Sequence, residues 1–553
     1  MTMSYEDAAA TITAPGERFE VVDLGDQRAF KNAPPSLRDL FGTARARGDD
    51  TFLVYEDERR SFADVMRHVD ALSALLVERY GVRKGDRVAI GMRNYPEWVI
   101  SFAAITSIGA ISVSLNAWWT EGELDYALGD STPTVLIADQ ARAALARPAA
   151  ERLGIHTLVV RAEPGAVEWA DRWDDELPLG SPMPDVAVGP DDDATILYTS
   201  GTTGHPKGAV STHGAIIQAL MGFGCRTAIE RLRRPEENTS TGPPVFILIV
   251  PLFHVTGCVP VMLSCFASGL KLVMTYKWDA ERALELIERE RVTNFVGVPT
   301  QSWDLLESPR FGDFDTSSLA SVGGGGAPAP PELVKRVASS FSQAKPGIGY
   351  GMTETNAYGP QNSGLDYTTH PTSTGRATPI MQIDVRDSDD RSLPVGERGE
   401  IWFKGPHLIG GYWGKPDATA ETIVNGWLRT GDIGRVDDEG FVYVEDRAKD
   451  MVLRAGENIY CAEVEAAIYE HPAVYEAAVF GVPHDRLGEE VAVALYLRPG
   501  ETLTVEQLQA HVASRLAPFK VPAVVLLLDE QLPRNAAGKI LKRELRERMT
   551  TVR

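Results

Sequence analysis

Cysteine is scarce in this chain. Four occur in 553 residues, Cys225, Cys258, Cys265 and Cys461, and no two form a CxxC pair. A disulfide framework and a structural zinc site both need closer or more numerous thiols. The four therefore read as free thiols in a reducing compartment. An excess of positive charge is missing as well: 55 Lys and Arg stand against 77 Asp and Glu, a net charge of -22. Such a chain repels phosphate backbones and anionic membrane surfaces, which argues against nucleic acid as a partner. Long hydrophobic runs are also lacking. The most apolar stretch, Val245 to Phe253, contains Pro251 and falls far short of the ~20 residues of a membrane helix. The first residues show no basic stretch followed by an apolar core, and the last show no recognisable address. A cytoplasmic protein with no integral membrane segment is the expectation.

What is present is an ordinary globular composition, 44% hydrophobic and 24% charged. The length calls for several packed units at roughly 100–200 residues each. Residues 1–20 are polar and small and read as a loose tail. Helix and strand patterns then alternate. Arg87 to Met92 reads as a buried strand, Glu97 to Ile108 as a helix, Ala110 to Leu115 as a strand, Glu121 to Asp130 as a helix and Pro133 to Ala138 as a strand. Alternation of this kind implies parallel sheets covered by helices. Between Ile401 and Val444, strand-like pieces alternate with Gly-rich turns, which suggests a smaller β-rich unit. The last ~105 residues pattern as a separate α+β unit. The expected fold is thus α/β: a large domain of stacked, mainly parallel sheets over residues 21–446, with a small β-rich subdomain, and a small mobile α+β domain over 447–553.

The strongest local signal is Tyr198 to Gly208, YTSGTTGHPKG, after a strand-like Ala194 to Leu197. Glycines free backbone N–H groups to point at one anion. Hydroxyls add donors and Lys207 adds charge, a composition suited to a polyphosphate. It is not a Walker A loop, because Pro206 precedes Lys207 and Gly208 follows it. Further along, Gly349 to Glu354 (GYGMTE) offers an aromatic ring, a hydroxyl and a carboxylate, and Thr430-Gly431-Asp432 offers a carboxylate able to accept from a vicinal diol.

YTSGTTGHPKG resembles the phosphate loop of the adenylate-forming superfamily, which includes acyl-CoA synthetases, luciferases and peptide-synthetase adenylation domains. The resemblance runs from about residue 50 to residue 545. It implies nucleotide contacts from Thr199, Ser200, Gly201, Thr202, Thr203, Gly204 and Lys207. It adds Gly325, Gly326 and Ala327 of the run Gly323 to Pro328, then Gly349, Tyr350, Gly351 and Thr353, with Asp432 and Arg447 at the ribose. Glu354, with Thr199, is implied for Mg²⁺, which favours one or two carboxylates beside phosphate oxygens and water. Leu532 to Ile540 resembles the terminal catalytic loop, with Lys539 meeting the carboxylate and the α-phosphate; Thr353 and His254 complete the implied catalytic set. Lys449 falls at the family's hinge, and Arg454, Gly456 and Glu457 fall along its CoA tunnel. Pro251 to Gly257 resembles the acyl-site segment; the expected pocket is His254, Val255, Val259, Gly297, Trp303, Gly323, Met352 and Tyr358. Glycines there leave room and Val259, Trp303 and Tyr358 supply apolar walls, which suits a fatty, alicyclic or aromatic acid better than acetate.

The implied activity is an AMP-forming acyl-CoA synthetase using ATP, Mg²⁺ and coenzyme A, with a medium- or long-chain fatty acid as leading substrate. An aromatic or alicyclic acid is the alternative. An acyl-AMP ligase that loads a carrier protein is a rival, disfavoured because no insertion interrupts the large domain. A non-catalytic nucleotide-binding scaffold is a further rival, opposed by intact Lys539, Glu354 and Asp432. Oligomeric state is not legible; a homodimer is one option.

Overall fold

The computed structural model describes residues 3–199, 205–235, 242–327, 329–448, 450–455, 457–484, 486–536 and 538–552. Ser200, Gly201, Thr202, Thr203, Gly204, Lys449 and Gly456 lie outside the described residues.

Two large sheets form the first ~450 residues. In the eight-stranded sheet, six strands run parallel: Asp193–Thr199, Ile111–Ser114, Arg87–Gly91, Val135–Asp139, His156–Val160 and Asp171–Arg172. The fourteen-stranded sheet also has six parallel strands, Thr51–Tyr55, Lys271–Met274, Val245–Leu248, Asn294–Gly297, Ser321–Gly325 and Lys345–Gly349. The central strands of the first sheet are buried on both faces, as expected of parallel strands covered by helices. The helix Pro96–Ser107 is buried at every position. A helix apolar all round has no solvent face to present, and its side chains join the main core together with both sheets.

The β-rich stretch is not a separate sheet. Gln361–Ser363, Gly375–Arg376, Phe441–Arg447, Trp427–Val436, Gly399–Lys404 and Gln382–Arg386 extend the fourteen-stranded sheet antiparallel. The join is narrow: one pair, Gln361 with Arg376, links the two halves. Residues 3–20 are also not a loose tail. Tyr5–Ile12 forms a helix capped by Ser4, and Tyr5, Ala8 and Phe19 are buried beside Ala219, Cys225 and Ile229. Those three belong to His213–Arg233, a long helix that the pattern reading passed over because Gly222 and Gly224 interrupt its apolar stripe.

The C-terminal unit is a five-stranded sheet with helices Cys461–Tyr469, Val505–Ala513 and Lys542–Val552. Its buried clusters draw only on residues from Val452 onward, so it has cores of its own.

Candidate functional site

The strands on either side of the expected phosphate loop pair antiparallel, Asp193–Thr199 with Lys207–Thr212, and Thr199 faces Lys207 across the ladder. The descending arm is anchored to the helix Glu121–Ser131. His205 stacks on Tyr126 at 4.2 Å, and Tyr126 Oη donates to Pro206 O at 3.2 Å. Lys207 holds its ammonium 5.1 Å from the centre of the Tyr412 ring. Tyr412 Oη donates to Glu354 Oε1 at 2.7 Å. Burial first, then the Glu354 carboxylate, hold the Tyr412 phenol far above its ordinary range. Lys207 and Glu354, far apart in sequence, thus share one ring, and Tyr412 was not singled out in the sequence.

A second group gathers Tyr350, Asp432 and Arg447. Asp432 and Arg447 are direct partners on neighbouring antiparallel strands. Arg447 Nε lies 3.2 Å from Asp432 Oδ1, and Tyr350 Oη donates to Oδ2 at 2.6 Å. Burial, followed by the Asp432 charge, keeps the Tyr350 phenol protonated. The strand ends Gly325 and Gly349 are parallel partners, so the glycine run and the GYGMTE segment border the same place. Gly326 has φ +76°, a left-handed backbone that glycine adopts without strain.

The third group spans the two units. A small cleft is lined by Val250, Pro251, His254, Thr256, Val298, Gly325, Gly326 and Lys539. Lys539 comes from the C-terminal unit on a loop closed by Asn535, whose Oδ1 accepts from Lys539 N at 3.0 Å. Added to Gly326, a Cβ would lie 3.4 Å from Lys539 Cε. A Cβ on Gly538 would lie 2.8 Å from Val298 Cγ2, so the loop seats on the large unit only without that carbon. Burial, then the Lys539 charge, push the His254 imidazole down to about 3. The imidazole is therefore neutral near pH 7 and only weakly basic. Gly257 lets this wall fold back: a Cβ there would stand 2.3 Å from Pro251 O. Asn94, overlooked in the sequence, pins the segment by donating to Val250 O at 3.1 Å and accepting from Leu252 N at 2.9 Å.

The expected acyl wall is only partly assembled around that cavity. Trp303 faces elsewhere, with Arg336 5.0 Å and Arg498 5.7 Å from its ring centre. Gly297 makes room for Gln301 rather than a ligand, since a Cβ there would lie 2.5 Å from Gln301 Oε1. Tyr358 is fully buried, its ring close against Gly222 and edge-on to Phe223 and His407. Val255 and Val259 pack into the main core, and Met352 packs against the cluster containing Tyr358. Gly323 lines a neighbouring small cleft with Val322, Leu333 and Val337. In the proposed tunnel set, Arg454 pairs with Glu490 at 2.6 Å and faces Glu457 across a hairpin; neither lines the Lys539 cavity.

Residues 40–413 match the model of the AMP-binding enzyme family, and residues 463–539 match its C-terminal domain. This chain belongs to the AMP-binding enzyme family. Within it, the chain falls in the acyl-CoA synthetase branch of the adenylate-forming enzymes. It is 37% identical over 495 residues to a feruloyl-CoA synthase of Amycolatopsis sp, covering 88% of this chain and 94% of that one. It is 35% identical over 486 residues to the long-chain-fatty-acid–CoA ligase FadD13 of Mycobacterium tuberculosis, covering 87% and 90%. The solved structure of ATP-bound MatB from Rhodopseudomonas palustris superposes with a TM-score of 0.81 at 29% identity, over 93% of this chain and 99% of that one. No helix among the described residues is long and apolar enough to cross a membrane.

Proposed function

We propose that this AMP-forming acid–CoA ligase works in two half-reactions that use the three residue groups in turn. The observation that carries the reading is Lys539, delivered by the C-terminal unit into the cavity of Gly325, Gly326 and His254. A carboxylate must attack the α-phosphate of ATP there, and two anions meet. A fixed ammonium offsets that repulsion and stabilises the phosphoryl oxygens of the transition state. Asp432 and Arg447 hold the ribose, with Tyr350 bracing Asp432. Lys207 and the loop at 199–207 hold the β- and γ-phosphates, and Thr353 borders the α-phosphate.

Glu354 fits a Mg²⁺ carried mainly by ATP. One of its oxygens accepts from Tyr412 Oη, and no group of three or more His, Cys, Asp and Glu among the described residues is placed to hold a metal ion. One carboxylate plus phosphate oxygens and water is the ligand set Mg²⁺ favours. When bound, the ion neutralises phosphate charge.

Pyrophosphate leaves, and acyl-AMP remains beneath Lys539. The C-terminal unit then turns about the join near residue 449, withdraws Lys539 and presents the Arg454–Glu457 hairpin beside an incoming CoA. The thiolate displaces AMP. The substrate class is a hydrophobic carboxylic acid, a medium- or long-chain fatty acid first. The second reading is an aromatic acid. It is favoured by Tyr358 and Phe223, which fill the space beside Gly222 and shorten any channel along that helix.

The test is a panel of acetate, hexanoate, decanoate, palmitate, benzoate, cyclohexanecarboxylate and ferulate with MgATP, following pyrophosphate and AMP with and without CoA. Decanoate or palmitate as best acid, with AMP turnover only when CoA is present, is the expected result. Ferulate or benzoate as best acid selects the aromatic reading. Pyrophosphate with no CoA-driven turnover points to a carrier-protein ligase.

A further inference from the structure

The helix Pro299–Glu307 of the large unit touches the C-terminal unit at both ends. Its start follows Val298, the residue on which Gly538 seats. Gln301 fixes that start, accepting from Val298 N at 2.9 Å and donating to Ile249 O at 3.2 Å. Nine residues on, at ~1.5 Å per residue, the helix has run ~13 Å and ends in two carboxylates, Asp304 and Glu307. Each is met from the C-terminal unit. Tyr475 Oη donates to Asp304 Oδ1 at 3.0 Å, and Arg498 Nη1 donates to Glu307 Oε1 at 2.6 Å. Trp303 of the same helix has the Arg498 guanidinium 5.7 Å from its ring centre.

The two carboxylates share a further property. Each keeps a second partner inside the large unit. Trp278 Nε1 donates to Asp304 Oδ2 at 2.9 Å, and Arg336 pairs with Glu307. Burial acts to raise the Glu307 carboxyl, but the two guanidiniums outweigh it and hold it below its usual range. A buried acid that loses its only partner opposes the loss strongly. Here Tyr475 and Arg498 can leave and neither acid is stranded. The contacts therefore hold the units together without locking them.

We propose that Arg498 and Tyr475 are positioning residues for adenylation: a releasable latch on Asp304 and Glu307 that holds the unit carrying Lys539 in its working position. The inference rests on the reading of Lys539 above. It concerns the first half-reaction alone, because the latch must open for the second.

The double variant Arg498→Ala/Tyr475→Phe tests it in the full chain, using decanoate or ferulate, whichever the panel accepts. Two part-exposed polar contacts are lost, and single-turnover pyrophosphate release is expected to slow on the order of tenfold. Thioester formation from supplied acyl-AMP and CoA stays within about twofold of wild type or rises. Arg498→Lys, which keeps the charge beside Glu307, recovers part of the loss. Equal loss in both half-reactions would mean general damage and overturn the latch. Unchanged pyrophosphate release would also overturn it, provided Lys539→Ala abolishes that step. If Lys539→Ala itself spares pyrophosphate release, the reading of Lys539 fails and takes the latch with it.

Discussion

At the residue scale, one tyrosine separates a metal-site reading from a structural one. Tyr412 is anchored by its strand pairing to the hairpin that bears the phosphate loop, where Ala209 is its partner. Its hydroxyl fixes Glu354, which is buried. Glu354→Gln is expected to raise the Mg²⁺ concentration needed for half-maximal pyrophosphate release. Tyr412→Phe removes one hydrogen bond to a charged acceptor, worth about 1.5–3 kcal/mol. It should shift the same titration in the same direction by less. An unchanged Mg²⁺ titration in both variants would remove Glu354 from the metal site. The ribose group gives a parallel case. Asp432→Ala leaves Arg447 and Tyr350 without their shared acceptor, so the KM for ATP should rise about tenfold or more while the KM for the acid changes little. A rise in both would locate the damage in the fold rather than at the ribose.

At the element scale, the sequence was legible where one segment decides its own structure. Glu97 to Ile108 reads as a helix and is found at Pro96–Ser107; Arg87 to Met92 reads as a strand and is found at Arg87–Gly91. Motif residues were also found together: Asp432 with Arg447 and Tyr350, and Lys539 with His254. The acyl wall was not legible, because side-chain direction depends on what packs behind it. Trp303 follows its helix toward the C-terminal unit, and Tyr358 turns onto Gly222. The helix His213–Arg233 escaped notice for the same reason, since Gly222 weakens the helical pattern but is required by a ring from another segment. A Cβ at Gly222 would lie 2.3–2.5 Å from the Tyr358 ring. Gly222→Ala should gain up to ~1 kcal/mol of helix propensity. It meets overpacking of about 1–3 kcal/mol in a filled core. The net expectation is a lower melting temperature despite the better helix former, read by thermal unfolding; a higher one would show that Tyr358 can move aside.

At the scale of the whole molecule, one meeting point of the units lies between the strand Phe441–Arg447 and the helix Cys461–Tyr469. Asp446, in the strand Phe441–Arg447, accepts from Arg447 N at 2.8 Å on Oδ1 and from Cys461 N, the first residue of Cys461–Tyr469, on Oδ2. It is therefore bonded across the join. Burial is the chief reason its carboxyl rises to about 6; Lys542 and the two N–H donors oppose the rise, and Glu465 reinforces it. Lys542 does not neutralise Asp446 fully because it is paired with Glu465 at 2.8 Å. The sign follows directly. Between the ordinary value of 3.8 and about 6, the folded state holds a proton that the unfolded chain has released. The contribution of Asp446 to stability is therefore complete below about 4, falls as pH rises through this window, and is flat above about 6. A rise of that size is worth at most about 3 kcal/mol. Lowered carboxylates such as Glu290, held at about 2 by Arg59 and Lys271 against the effect of burial, add a slope of opposite sign that fades above their ordinary value of 4.5 and is common to wild type and variant. Asp446→Asn cannot titrate. The stability difference between wild type and Asp446→Asn should shift toward the variant as pH is raised from 4 to 6.5, whatever the constant offset from the altered hydrogen bonds. Urea unfolding of the C-terminal unit, followed at several pH values in both proteins, reads that difference, and parallel curves would show that Asp446 is charged throughout the range and that Lys542 serves as its counterion.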